Sequence, residues 1–128
     1  MSVECIKVIF GAAWIGWAAP YDDQEYSKKA FQILKAHGVE TLDTAQLYGQ
    51  SEKSLGELKA GDAFSIDTKW PGGLPQGWAT RENILKTAKE SLEKIGVKQV
   101  SRVTFEIACT ALENVPLKNR GGFACFRV

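Results

Sequence analysis

Val39-Glu40-Thr41-Leu42-Asp43-Thr44-Ala45-Gln46-Leu47-Tyr48-Gly49-Gln50-Ser51-Glu52 is the stretch from which the fold is read. Val39 to Asp43 is suited to a short strand that ends at an acid. A loop carrying Tyr48 follows. Ser51 then starts a helix, since its hydroxyl can accept from the free N–H groups of a first turn. Ala63 to Thr68 is a further strand, and Lys69 stands at its end. An acid, a phenol and an ammonium are thus delivered to the ends of neighbouring strands.

The flanking sequence repeats the same unit. Upstream, Cys5 to Phe10 is an apolar run with one lysine, read as a buried strand, and Gly11 to Pro20 is a loop rich in Gly, Ala and Trp. Asp22 or Asp23 can cap a helix that places Tyr26, Ala30, Ile33, Leu34 and His37 on one face. Gly38 ends it, because glycine takes the left-handed conformation cheaply. Downstream, the helix from Ser51 turns Leu55 and Leu58 inward, and Gly56 permits close packing. Pro71 to Gly77 is a loop. Thr80 caps a third helix with Leu85, Ala88, Leu92 and Ile95 buried and Gly96 at its end. Three strand–helix units in succession imply parallel strands joined by right-handed crossovers, either a (β/α) barrel or an open doubly wound sheet.

After Val100 the pattern changes. Val103, Phe105 and Ile107 alternate with Arg102, Thr104 and Glu106, the period of a strand with one wet face. Thr110 to Val128 shows little periodicity, and Gly121-Gly122 interrupts it. The expected organisation is one unit over residues 1–100 and a divergent tail over 101–128.

Composition narrows the function. The chain has 128 residues, 45% hydrophobic and 24% charged, which suits one globular domain. Its net charge is +1, from 16 basic and 15 acidic residues, and no basic stripe marks it for nucleic acid. Cys5, Cys109 and Cys125 are odd in number and lack metal-ligand spacing, which points to reduced thiols and a cytoplasmic setting. Val8 to Ala19 resembles the apolar part of a signal peptide. Glu4, Gly11, Gly16 and the bulky Trp14 and Trp17 oppose that reading, and the run is too short to span a bilayer. No membrane partner is expected.

Tyr48 is the candidate general acid. A free phenol has a pKa of about 10, too high for efficient proton donation at neutral pH. A neighbouring ammonium stabilises the phenolate, and Lys69 can supply one. Asp43 can hold Lys69 charged and oriented. Each residue also has a bland reading: a turn-forming acid, a core aromatic with a wet tip, a solvated strand end. Their shared position at strand C-termini favours the chemical one, because βα barrels build their active sites there.

Leu42-Asp43-Thr44-Ala45-Gln46-Leu47-Tyr48-Gly49, then Ser51-Glu52 and Thr68-Lys69, resembles the aldo-keto reductases, most closely the aflatoxin-aldehyde reductase-like branch and its fungal relatives. The resemblance runs from about Ile6 to Val100. It implies the N-terminal half of a (β/α)8 TIM barrel, with three βα units and a possible fourth strand. It implies NADPH as cofactor and reduction of an aldehyde or ketone to an alcohol. Tyr48 would then donate the proton, with Asp43 and Lys69 as its supporting pair and Asp43 near the nicotinamide ribose. The loops bearing Trp14, Trp17 and Trp70 would wall the substrate pocket or simply cover the barrel mouth.

Two departures accompany the resemblance. The family's fourth strand normally brings a histidine to the substrate carbonyl, and no histidine follows His37 here. Glu106 falls near that position by gapless counting, but its neighbours do not match the family strand. A complete barrel also needs about 250 residues. The chain therefore reads as truncated, lacking most dinucleotide contacts of the family's second half, with the tail as an unrelated replacement. An open edge and an apolar inner face would favour self-association, or a partner such as a full-length paralogue, through the open barrel face. The competing reading is a non-catalytic half-barrel that acts only by such association.

Overall fold

The computed structural model describes residues 6–72, 79–105 and 125–126. Cys5, Glu106, Cys109, the Gly121-Gly122 pair and most of the Pro71–Gly77 loop lie outside the described residues.

The chain runs β1 (Ile9–Gly11), α1 (Gln24–Ala36), β2 (Thr41–Asp43), α2 (Ser51–Glu57), a single 3-10 turn, β3 (Ser65–Trp70), α3 (Arg81–Ile95), β4 (Arg102–Phe105) and β5 (Cys125–Phe126). The strands form one sheet in sequence order. β1 to β4 are parallel, and β5 joins β4 antiparallel, with Thr104 opposite Cys125. Successive parallel strands linked by helices are the first part of a (β/α)8 barrel. Gly11, Asp43 and Asp67 stand in one row across the sheet.

The helix boundaries follow local chemistry. Asp23 caps α1, its carboxylate accepting from the Tyr26 N–H at 2.9 Å. Thr80 caps α3 by accepting from the Asn83 N–H at 3.2 Å. Gly38 and Gly96 take positive φ at the two helix ends, as expected. α2 differs: Gln50 is its N-cap without a side-chain bond, and Ser51 is its first helical residue. The Ser51 hydroxyl is drawn instead into a tertiary bond to the carbonyl of Ala12, the residue after β1.

The core lies between sheet and helices. Ala12, Ile15, Phe31, Leu42, Leu55, Phe64, Ile66, Ile95 and Val100 pack there, and Phe31 meets Phe64 edge-on with centroids 5.4 Å apart. Because Ala12 and Ile15 are core residues, the apolar run Val8–Ala19 is part of this fold. The buried face of α1 is Ser27 and Phe31 with partly buried Leu34; Tyr26 and Ile33 are 45% and 60% exposed. The expected stripe was rotated by one position, because small Ser27 lets the helix sit close to the Tyr21 carbonyl, to which it donates at 3.1 Å. On α3, Ile95 is buried as expected, but Leu85 is 45% exposed while Thr87 and Ser91 are inside. Their hydroxyls have partners, so burying them is cheap.

Two further expectations change. β1 is shorter than Cys5 to Phe10, and Ile6 and Val8 are 91% and 59% exposed. β1 has a neighbour on one side only among the described residues, and that neighbour, β2, is three residues long. The inner face of the sheet is also not apolar. Side chains alternate across a strand, so Ile66, Thr68 and Trp70 face the helices while Asp67 and Lys69 face inward. With Thr41, Asp43, Arg102 and Thr104 beside them in register, the inner face is polar and charged.

Glu52 shows how the helices are registered on the sheet. It is 3% exposed and accepts from the Thr68 hydroxyl at 2.8 Å, while Lys94 of α3 lies 4.0 Å from its other oxygen. One carboxylate thus joins α2, β3 and α3.

Candidate active site

The site sits at the C-terminal ends of β2 and β3. Asp43 is the last residue of β2, and Lys69 the penultimate residue of β3. Tyr48 hangs from the loop after β2, where its N–H donates to the Ala45 carbonyl at 3.1 Å and its own carbonyl accepts from Ser51 at 2.9 Å. The Lys69 ammonium donates to the Asp43 carboxylate and, at 3.1 Å, to the Thr44 carbonyl. It stands 4.8 Å from the centroid of the Tyr48 ring. The structure therefore brings Asp43, Tyr48 and Lys69 together.

The electrostatics keep Lys69 charged. Burial, the largest single influence, works to lower its pKa, but the hydrogen bonding and charge of Asp43 and then of Tyr48 together outweigh it, and the pKa stands above the ordinary 10.5. The side chains are only 18% and 33% exposed for Lys69 and Asp43. Their attraction is therefore screened less than that of a surface pair.

Backbone and side chains fasten the loop that carries Tyr48. The Thr44 N–H donates to the Asp67 carbonyl at 2.8 Å, and the Gln46 N–H to the Lys69 carbonyl at 3.3 Å. The Gln46 amide donates to the Thr87 carbonyl at 2.9 Å and to the Ser91 hydroxyl at 2.8 Å. Sequence reasoning passed over Gln46 and Thr44, because their partners lie on elements distant in the chain.

The tryptophans divide. Trp14 and Trp17 are stacked, 5.6 Å apart at 15°, and are 57% and 61% exposed at the rim. Trp17 lies against Gly49, next to Tyr48. Trp70 is the last residue of β3 and is 3% exposed, lining a cavity of about 250 Å³ under α3 with Ile84, Ala88 and Leu92. It belongs to the helix side of the sheet and not to the barrel mouth. His37 is exposed at the end of α1, its Nδ1 donating to the Ile33 carbonyl at 2.8 Å, and takes no part in the site.

Asp67 is a second inward carboxylate that the sequence reading did not single out. It is 6% exposed, in register between Asp43 and Arg102. Burial raises its pKa above the ordinary 3.8, Arg102 opposes this, Asp43 adds to it, and Lys69 and Lys7 oppose it. The folded state therefore holds the proton more tightly than the unfolded chain. The stability that Asp67 contributes is complete below pH 3.8 and is lost as pH rises through its folded pKa. Asp67→Asn should match the wild-type melting temperature near the acid end and exceed it at neutral pH. Thermal melts of both proteins across that range check this; a variant less stable at pH 7 than at the acid end, relative to wild type, refutes it.

Comparison with known proteins identifies the family. Residues 7–110 match the model of the aldo/keto reductase family, and the chain belongs to that family. A curated relative, Oxidoreductase sirO of Leptosphaeria maculans, is 38% identical over 104 residues, covering 73% of this chain and 31% of the relative. The chain thus spans about a third of the length of that relative. Among solved structures, the Pseudomonas aeruginosa protein PA4992, an aldo-keto reductase by assignment, superposes with a TM-score of 0.66 at 21% identity over 84% of this chain and 46% of its own. An aldo-keto reductase complexed with NADPH, AKR2E5, superposes at 0.55 with 17% identity over 76% of this chain and 31% of its own. These structural likenesses speak for the barrel fold.

Proposed function

We propose that the chain carries the proton-donating part of an NADP(H)-dependent carbonyl reductase. The observation behind this reading is the convergence of Asp43, Tyr48 and Lys69 on one rim. When bound, the nicotinamide supplies hydride to the carbonyl carbon of an aldehyde or ketone. Tyr48 gives its hydroxyl proton to the carbonyl oxygen, and the Lys69 ammonium stabilises the phenolate left behind. Asp43 holds Lys69 in place.

The rim fits such a cofactor. Lys69 takes one of the two Asp43 carboxylate oxygens, and a third of the Asp43 side chain is exposed, so Asp43 is suited to accept from a ribose hydroxyl. The exposed indoles of Trp14 and Trp17 would wall the small-molecule carbonyl substrate. The NADPH held by one structural neighbour and the name of the curated relative support this reading. The Asp43–Gly49 motif supports reading the chain as a member of the aflatoxin-aldehyde reductase-like, fungal branch. None of the described helices is long and apolar enough to cross a membrane.

Titrating NADPH while following tryptophan emission tests the cofactor half of the proposal. Trp14 and Trp17 lie at the rim, so saturable quenching is expected. A flat titration would remove the cofactor from the reading.

We also propose that the isolated chain self-associates. The favouring observation is that β1 has one strand neighbour among the described residues, with Ile9 of the strand and Ile6 and Val8 before it exposed. Such an edge offers unpaired backbone groups next to apolar side chains. The exposed apolar side chains at that edge, beside a polar inner face, favour the edge over the open barrel face as the surface for this association. Sedimentation should show a dimer or larger species that Val8→Lys returns to monomer. A compact wild-type monomer with a sharp thermal transition would contradict this.

A further inference from the structure

Two buried hydroxyls lie behind the catalytic rim, and both belong to residues with no exposed surface, Thr44 and Ser51. Ser51 Oγ donates to the Ala12 carbonyl at 2.7 Å, which commits its proton. Thr44 Oγ1, 2.8 Å from Ser51 Oγ, is therefore the donor in that second bond. The pair closes the Tyr48 loop on itself and ties the closure to the end of β1. Thr44 also reaches the opposite side of the site, because its carbonyl accepts from Lys69 at 3.1 Å. One residue thus touches both the loop that presents the phenol and the ammonium beside it.

We propose that Thr44 is a positioning residue, setting the Tyr48 loop through Ser51 and the Lys69 ammonium through its carbonyl. The proposal deepens the reading of Tyr48 as proton donor and rests on it for its kinetic consequence. The geometry needs little displacement to fail, since small misplacements of reacting groups cost rate steeply. The competing view is that the hydroxyls merely satisfy each other in a packed interior. That view predicts a lower melting temperature with Lys69 and Tyr48 left in place.

Thr44→Val separates the two, because it keeps the shape, removes the hydroxyl and leaves Ser51 donating to Ala12. Thr44→Ser restores the hydroxyl. Two readouts are taken on the full chain. One is the ring-current shift that Tyr48 imposes on the Lys69 ε-methylene protons, assigned with Tyr48→Leu. The other is kcat and KM for a test aldehyde with NADPH. Thr44→Val is expected to lose the shift and to lower kcat by about 10- to 100-fold at unchanged KM, and Thr44→Ser to retain both. A wild-type ring-current shift in Thr44→Val, or Thr44→Ser failing as Val does, overturns the proposal. Should Thr44→Val not fold, Ser51→Ala removes that bond together with the one to Ala12, and a wild-type ring-current shift in it overturns the proposal equally; if neither folds, the hydroxyls are structural and the proposal falls. If Tyr48→Phe turns over like wild type, the proton-donor reading fails, while the ring-current result still decides the role of Thr44.

Discussion

Tyr48→Phe is expected to lower the rate of NADPH-dependent aldehyde reduction by about 10²- to 10⁴-fold, the range that a positioned general acid contributes. The substitution removes one hydroxyl and keeps the ring, so the contact with the Lys69 ammonium 4.8 Å from the centroid persists. Stability should change little, because Tyr48 is only half-buried and its backbone bonds to Ala45 and Ser51 are untouched. Cofactor quenching should be retained, since Asp43 and the rim tryptophans are unaltered. The loss should therefore fall on kcat and leave the melting temperature within a few degrees. Steady-state kinetics with melts of both proteins measure this. Equal turnover by Tyr48→Phe would sink the assignment of the proton donor.

Gly56→Ala is expected to destabilise the fold, although helix propensity argues the reverse. Inside an exposed helix, alanine is preferred over glycine by about 1 kcal/mol. At Gly56 an added Cβ would stand 2.1 Å from the Lys94 carbonyl oxygen and 3.1 Å from the Lys94 and Ile95 carbonyl carbons. Those atoms are backbone at the end of α3 and cannot rotate away as a side chain would. Relief requires α2 and α3 to separate, which loosens Leu55 and Ile95, 0% and 1% exposed. Overpacking typically costs about 1–3 kcal/mol, and a Cβ 2.1 Å from a backbone oxygen falls at the upper end of that range, so the steric term exceeds the propensity gain. A net loss of about 1–2 kcal/mol lowers the melting temperature of a domain this size by roughly 5–15 °C. Gly56→Ala melting above wild type would show that the two helices are not held at this separation.

Much of the site was legible because it depends on local signals. The run from Val39 to Asp43, the capping residues Asp23 and Thr80 and the glycines Gly38 and Gly96 mark strand and helix ends, so the sequence alone puts Asp43 and Lys69 at strand termini. Where local signals competed with packing, packing prevailed. Ser51 has the chemistry of a cap, yet its hydroxyl bonds to Ala12, thirty-nine positions away. Val8 and Ile6 have the composition of a buried strand, yet they adjoin a strand that has one neighbour among the described residues.

By itself the sequence determined the alternation of strand and helix, the family motif and the identity of the three groups on the rim. These follow from side-chain chemistry and from periodicities of a few residues. Only the tertiary structure decided that the inner face is polar, that Trp70 lies under α3, and that Thr44, Gln46 and Ser51 fasten the Tyr48 loop. Those outcomes depend on which strands lie side by side and in what register. A one-residue change of register would carry Asp67 and Lys69 to the opposite face, and no stretch of chain read alone contains that information.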